Sequence, residues 1–120
     1  MDIKNKIVVL GSASGDVFFK LDRIPSVGET IDSQGVERAY GGKGANQALT
    51  CGRLGAAVEF LVQVGDDSVG RGCLKYLEES NVGTKYAKVI QGEETGQAYI
   101  MSLKDGNNAI IIVGGANAHH

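Results

Sequence analysis

The segment Gly41-Gly42-Lys43-Gly44-Ala45-Asn46-Gln47-Ala48 decides how the rest of this 120-residue chain is read. Its glycines open an apolar helical pattern over 44–54, with Ala45, Ala48, Leu49 and Leu54 on or near one face and Gly55 as the C-terminal stop. Glycines at that place let a ligand reach the backbone, and the N–H groups of a helix N-terminus favour electron-rich oxygens. Lys43 and Asn46 fall on the same turn. The segment is not a P-loop, because Lys43 is followed by Gly44 rather than Ser or Thr. Nor is it a dinucleotide fingerprint, since Gln47 stands where the third glycine belongs. The residues alone leave two readings open: a tight turn with close helix packing, or a ligand site lined by backbone.

Upstream, Ile7-Val8-Val9-Leu10 is a short β-branched run closed by Gly11, the pattern of a strand buried on both faces of a parallel sheet. Downstream, 58–64 predicts a second strand closed by Gly65, and 68–79 a second helix with Val69, Cys73, Leu74 and Leu77 on its apolar face. Asp66, Asp67 and Ser68 offer oxygens to cap that helix, and capping is the role expected of Asp66. Strand, helix, strand, helix is the order of an α/β fold. Four other segments, 17–21, 35–40, 97–103 and 108–113, read as a small antiparallel sheet interleaved with that core. Asp105-Gly106 between the last two is a strong hairpin signal.

Composition narrows the function classes. The 18 glycines come with a single proline, about twice the usual ~7% glycine, without collagen periodicity or low-complexity bias. Twelve Lys and Arg against 14 Asp and Glu give a net charge of −2. No run of like charges marks a nucleic-acid tail or a polybasic membrane patch. The longest apolar runs fall far short of the ~18 residues of a membrane span. The N-terminal stretch behind Lys4 and Lys6 is too short for a signal peptide, and the expected location is cytoplasmic. Cys51 and Cys73 lack metal-ligand spacing and are expected to be reduced, small hydrophobic residues. His119 and His120 are expected to be a tag remnant or an arbitrary end rather than a metal pair.

A second candidate site follows the first strand: Gly11-Ser12-Ala13-Ser14-Gly15-Asp16. The carboxyl ends of strands in open α/β sheets are where ligands bind. Ionised Asp16 offers two acceptor oxygens, suited to two vicinal hydroxyls, although a lone Asp in a turn also serves as a loop or cap residue. Taken together, a carboxylate, a lysine, an amide and bare backbone N–H groups suit a sugar-hydroxyl site that requires no metal.

These anchors, with Pro25-Ser26-Val27-Gly28-Glu29-Thr30 and Gly65-Asp66-Asp67-Ser68-Val69-Gly70, resemble in order and spacing the N-terminal part of the ribokinase-like carbohydrate kinases. Thr95-Gly96 and Gly114-Gly115-Ala116-Asn117-Ala118 extend the likeness over essentially the whole chain. Lys43-Gly44-Ala45-Asn46-Gln47 points within the family to its ribose-phosphorylating members more than to fructokinase or adenosine kinase. The resemblance implies an α/β fold: a parallel-sheet core with helices (about 5–16 and 41–90) plus a small antiparallel β-sheet lid (about 17–40 and 96–113). It implies transfer of the ATP γ-phosphoryl group to the 5-hydroxyl of ribose. On matching positions, Asp16 would bind two ribose hydroxyls, Gly41, Gly42, Lys43 and Asn46 would line the sugar, and Ala98 and Ile100 would be apolar lid contacts. Ser14 departs from the family, which often has Asn there; a water would bridge to the sugar, or that contact is lost.

The resemblance also implies Mg2+ with ATP, K+ as activator, and a homodimer formed by two packed lids. Phosphoryl transfer needs a base, charge stabilisation and a metal–nucleotide site. In this family they come from a later Gly-Ala-Gly-Asp motif, which does not occur in these 120 residues. The chain is therefore expected to be the N-terminal portion of a kinase, with the sugar wall and lid but no catalytic residue, nucleotide site or metal site. The alternative is a short, non-catalytic sugar-binding module.

Overall fold

The structure is a computed structural model that describes residues 6–118; Lys4 and the terminal histidines lie outside the described residues. Eight strands and two helices follow the order β1 (Lys6–Leu10), β2 (Ser14–Leu21), β3 (Gly35–Gly41), α1 (Lys43–Arg53), β4 (Ala57–Leu61), β5 (Gln63–Gly65), α2 (Ser68–Glu79), β6 (Lys88–Ile90), β7 (Gln97–Leu103) and β8 (Asn108–Val113). A 3-10 turn at Gly115–Ala118 ends the described chain. The radius of gyration is 16.3 Å and the extents are 56 × 32 × 20 Å. A compact domain of this length would have a radius near 14 Å, so one part projects from the other.

The core is built on two parallel pairs. β1 runs beside β4, with Val9 opposite Phe60, and β5 runs beside β6. Ala45, Ala48 and Leu49 of α1 and Cys73 and Leu77 of α2 close with Val9, Val58 and Phe60 into one buried cluster. The single strand expected over 58–64 is broken at Val62, because the chain changes partner there. β4 pairs with β1, while the Val62 carbonyl accepts from Lys88 N–H at 2.9 Å and β5 turns to β6. Helix α1 begins one residue earlier than read, at Lys43; α2 has the expected bounds.

Burial of β1 on both faces is not observed. Val9 is buried, but Val8 is 61% and Leu10 81% exposed. The helices cover the face that carries Val9, and no described element covers the other.

The projecting part is one four-stranded sheet in the order β3-β2-β7-β8, which unites the four segments expected to form a lid. Two features differ from the sequence reading. β2 starts at Ser14, so residues 14–16 belong to this sheet. The sheet is also mixed rather than antiparallel: β3 and β8 flank antiparallel, but β2 and β7 are parallel. A hairpin forces neighbours antiparallel; here the core elements lie between β2 and β7 in sequence, and a long crossover permits the parallel register. The β7–β8 hairpin closes as read, with Gly106 at φ 88° and its N–H donated to the Leu103 carbonyl at 3.1 Å.

Candidate sugar-facing site

Asp16 sits in the middle of the sheet near its junction with the core. It lies opposite Ala39 on one side and Ala98 on the other, so Ser14, Asp16, Phe18, Ala98 and Ile100 share one face. Two neighbours fix the carboxylate. Ser14 Oγ donates to Asp16 Oδ1 at 2.7 Å. Gly41, directly opposite Ser14, lies under Oδ2, where a Cβ would overlap that oxygen. Of the sites named from sequence, Ser14, Asp16, Gly41 and Ala98 therefore meet in one patch. Ile100 is one pair further along, buried opposite Phe18 and Ile110.

Gly42 turns the chain from β3 into α1. Its φ of 102° is left-handed, and a Cβ would come within 2.6 Å of the Ser12 carbonyl oxygen, so the turn requires glycine. The helix start is then held against the first loop: Ala45 N–H donates to the Ser12 carbonyl at 3.1 Å, and Gly44 and Gly11 approach backbone to backbone. Both open readings of the glycine cluster thus describe the same residues. Gly42 and Gly44 make the close packing, and that packing brings the N-terminus of α1 beside the loop 11–13 that leads into the strand of Asp16. Gly42 as N-cap supplies no side-chain acceptor to the first turn. Lys43 and Asn46 are exposed on that turn, and their side chains carry no hydrogen bond or ion pair among the described residues.

The sequence reading missed what fixes the site from behind. Asp67, not Asp66, caps α2: its Oδ1 accepts from Gly70 N–H at 2.8 Å. The same carboxylate accepts from Thr95 N–H at 2.8 Å and from Thr95 Oγ1 at 2.6 Å. Thr95 is fully buried and its hydroxyl oxygen accepts from Gly65 N–H at 2.9 Å. Burial pushes the Asp67 carboxyl up, but the bonds from Thr95 and Gly70 outweigh it and hold it below the usual carboxylate value. Asp66 instead pairs with Arg71 at the surface, 3.3 Å away, because the extended backbone at 67 aims that carboxylate at the helix N-terminus. The start of β7 is tied on through Gly15 N–H, which donates to the Gly96 carbonyl at 2.9 Å. Asn117 Nδ2 donates to the Ala13 carbonyl at 2.9 Å. The sequence signal for all of this was present, since Gly65–Gly70, Thr95-Gly96 and Ala116-Asn117 were among the recognised anchors.

Chemically, the patch is a preorganised carboxylate beside a helix N-terminus, with an exposed lysine and amide on the next turn and alanine alongside. It suits a polyhydroxylated ligand with one apolar face. Among the described residues no group of three or more His, Cys, Asp or Glu could hold a metal ion. Cys51 and Cys73 are both free thiols. No described helix is long and apolar enough to cross a membrane.

Comparison with known proteins agrees with this geometry. The pfkB family of carbohydrate kinases matches residues 4–120. The ribokinase of Dictyostelium discoideum is 37% identical over 115 residues, which are 96% of this chain and 36% of that protein. The crystal structure of a ribokinase from Cryptococcus neoformans in complex with ADP superposes with a TM-score of 0.85 at 42% identity, covering 97% of this chain and 36% of the other. The Arabidopsis thaliana ribokinase complexed with ribose and ATP gives 0.88 at 38% identity, covering 94% and 37%. The chain thus spans little more than a third of the length of these relatives.

Proposed function

The chain belongs to the pfkB family of carbohydrate kinases, and from that premise we propose that the full-length protein transfers the γ-phosphoryl group of ATP to the 5-hydroxyl of ribose. The observation that carries the reading is the Asp16 carboxylate, held by Ser14 over a glycine in the row that contains Ala98. Relatives of the same fold and 37% to 42% identity that are ribokinases support it.

In this account Asp16 accepts hydrogen bonds from two adjacent ribose hydroxyls. Gly41 and Gly42 admit the sugar to the backbone, Lys43 and Asn46 reach it from the first turn of α1, and Ala98 and Ile100 cover its apolar face. These residues bind and orient the acceptor; holding the attacking hydroxyl in place is a large part of catalysis when the enzyme forms no covalent intermediate. ATP with Mg2+ supplies the phosphoryl group when bound. The base, the nucleotide contacts and any K+ site are assigned to sequence beyond these 120 residues. Segments about 6–13 and 41–90 then form the core and about 14–40 and 96–113 the lid.

Two lids are proposed to pack together in a homodimer. Ile110, Ile111 and Ile112 of the edge strand β8 are 53%, 57% and 74% exposed, and both faces of the sheet carry apolar side chains in need of cover. The test of function is ATP consumption by the full-length protein with ribose, fructose or adenosine as acceptor. A preference for fructose or adenosine would leave the family and remove the ribose assignment.

A further inference from the structure

We propose that the cavity between the back of the lid sheet and α2 is a second binding site, on the sheet face opposite the proposed sugar site, for a planar organic anion: an aromatic ring bearing a phosphate or carboxylate. The cavity measures about 530 Å³, within the ~300–1,000 Å³ of small-molecule sites. Its sheet wall carries Val17, Arg38, Tyr40 and Gln97, and its helix wall Val69 and Tyr76. In register, Arg38 pairs with Val17 and Tyr40 with Gly15, which places their side chains on the face opposite Asp16. Gly15, Asp16 and Ala39 complete the lining; Asp16 and Ala39 are paired in register and direct their side chains to the other face of the sheet.

Three observations point to the ligand class. The first is charge. Of the four arginines, Arg23 and Arg71 are ion-paired. Arg38 and Arg53 have no carboxylate partner among the described residues; Arg38 lines the cavity and Arg53 lies outside it, against Tyr76. Arg53 donates to Tyr76 Oη at 2.5 Å and lies 5.7 Å from the centre of its ring. The Arg38 guanidinium, on the cavity wall without an ion-pair partner, is a fork for phosphate or carboxylate.

The second is the shape of the aromatic wall. Tyr40 and Tyr76 lie 5.4 Å apart with their planes tilted by 32°, a partial stack onto which a flat ring can extend. The third is that the chain makes room for this wall. A Cβ at Gly72 would overlap Tyr40 Oη, so glycine there lets the ring stand against the helix.

The test uses the full-length protein and phenyl phosphate as probe, with calorimetry or tyrosine fluorescence as the readout. Expected are saturable binding to the native protein, about tenfold weaker binding in Arg38→Gln, a similar loss in Tyr76→Leu, and unchanged binding in Arg23→Gln, an arginine outside the cavity. Inorganic phosphate and phenol should each bind more weakly than the joined probe. Arg38 is exposed on an edge strand, so its variant should melt at the native temperature. No binding of phenyl phosphate overturns the proposal, as does phenol binding equally well. Arg38→Gln that alters self-association while leaving probe affinity unchanged also overturns it, and would make this wall a protein contact.

Discussion

Ser14 and Asp16, two residues apart on β2, form a hydrogen bond from Ser14 Oγ to Asp16 Oδ1 of 2.7 Å. The serine therefore spends its hydroxyl on the carboxylate that faces the proposed sugar. Relatives that carry Asn at this position would reach the ligand themselves; here the side chain steadies the carboxylate proposed to do so. Removing the carboxylate (Asp16→Ala) deletes two charge-assisted hydrogen bonds to the sugar, each about 1.5–3 kcal/mol. The ribose KM should rise by about 100-fold or more, with far less change in the KM for ATP. Ser14→Ala should raise it less than Asp16→Ala, and Ser14→Thr should largely restore it.

Gly44 packs on Gly11 with no side chain between them, and a Cβ on Gly44 would lie 2.8 Å from Gly11 Cα and 3.0 Å from Ser12 N. Both atoms are backbone and cannot swing away. Gly44→Ala gains about 1 kcal/mol of helix propensity but forces the helix off the loop at a cost of about 1–3 kcal/mol. Net destabilisation is expected, together with weaker sugar binding, because the loop leads directly into the strand that carries Asp16. Thermal melts and the ribose KM of the variant check both parts.

Asp67 links the N-terminus of α2 to the buried Thr95. Its carboxyl is depressed in the folded protein, so its stabilisation is complete above the unfolded carboxylate pKa of about 3.9 and is lost as pH falls through the lower folded value. Asp67→Ala removes a helix cap and leaves Thr95 N–H without its acceptor, about 2–4 kcal/mol in all. The difference in melting temperature between native protein and variant should be large at pH 7 and shrink at pH 3. A difference independent of pH would assign the loss to packing rather than to the charge.

Cys73 is fully buried, and burial pushes its thiol up to about 11. At pH 8 only about one molecule in a thousand carries the reactive thiolate. Iodoacetamide followed by peptide mass spectrometry should label the partly exposed Cys51 well before Cys73 in the native protein. Equal labelling of the two would contradict the burial of Cys73.

What could be read without coordinates was what local chemistry decides. Helix α2 has the expected bounds because its cap and its apolar face lie within one twelve-residue stretch. The β7–β8 turn is fixed by Asp105 and Gly106 on the spot. Three features could not be read this way because they depend on residues distant in sequence. The β-branched run of β1 argues for burial on both faces, yet Val8 and Leu10 meet no cover from the described residues. The parallel pairing of Phe18 with Ile100 joins strands separated by the core elements. Asp67 and Asp66 are chemically alike, and only the backbone at 67 decides which of them caps the helix. For the candidate site, glycine spacing and one carboxylate pointed to two segments, 11–16 and 41–48, that the structure brings together. That Gly41 lies under the Asp16 carboxylate depends on strand register, which no local pattern reveals.

The most direct test of the central claim is the initial rate of ATP consumption by the full-length protein with ribose, fructose or adenosine as acceptor, set beside the same assay on residues 1–120 alone. The account predicts that ribose gives the highest kcat/KM with the full-length protein and that the 120-residue chain consumes no ATP with any acceptor. Ribose-dependent turnover by the short chain, or a full-length enzyme that prefers fructose or adenosine, would contradict it.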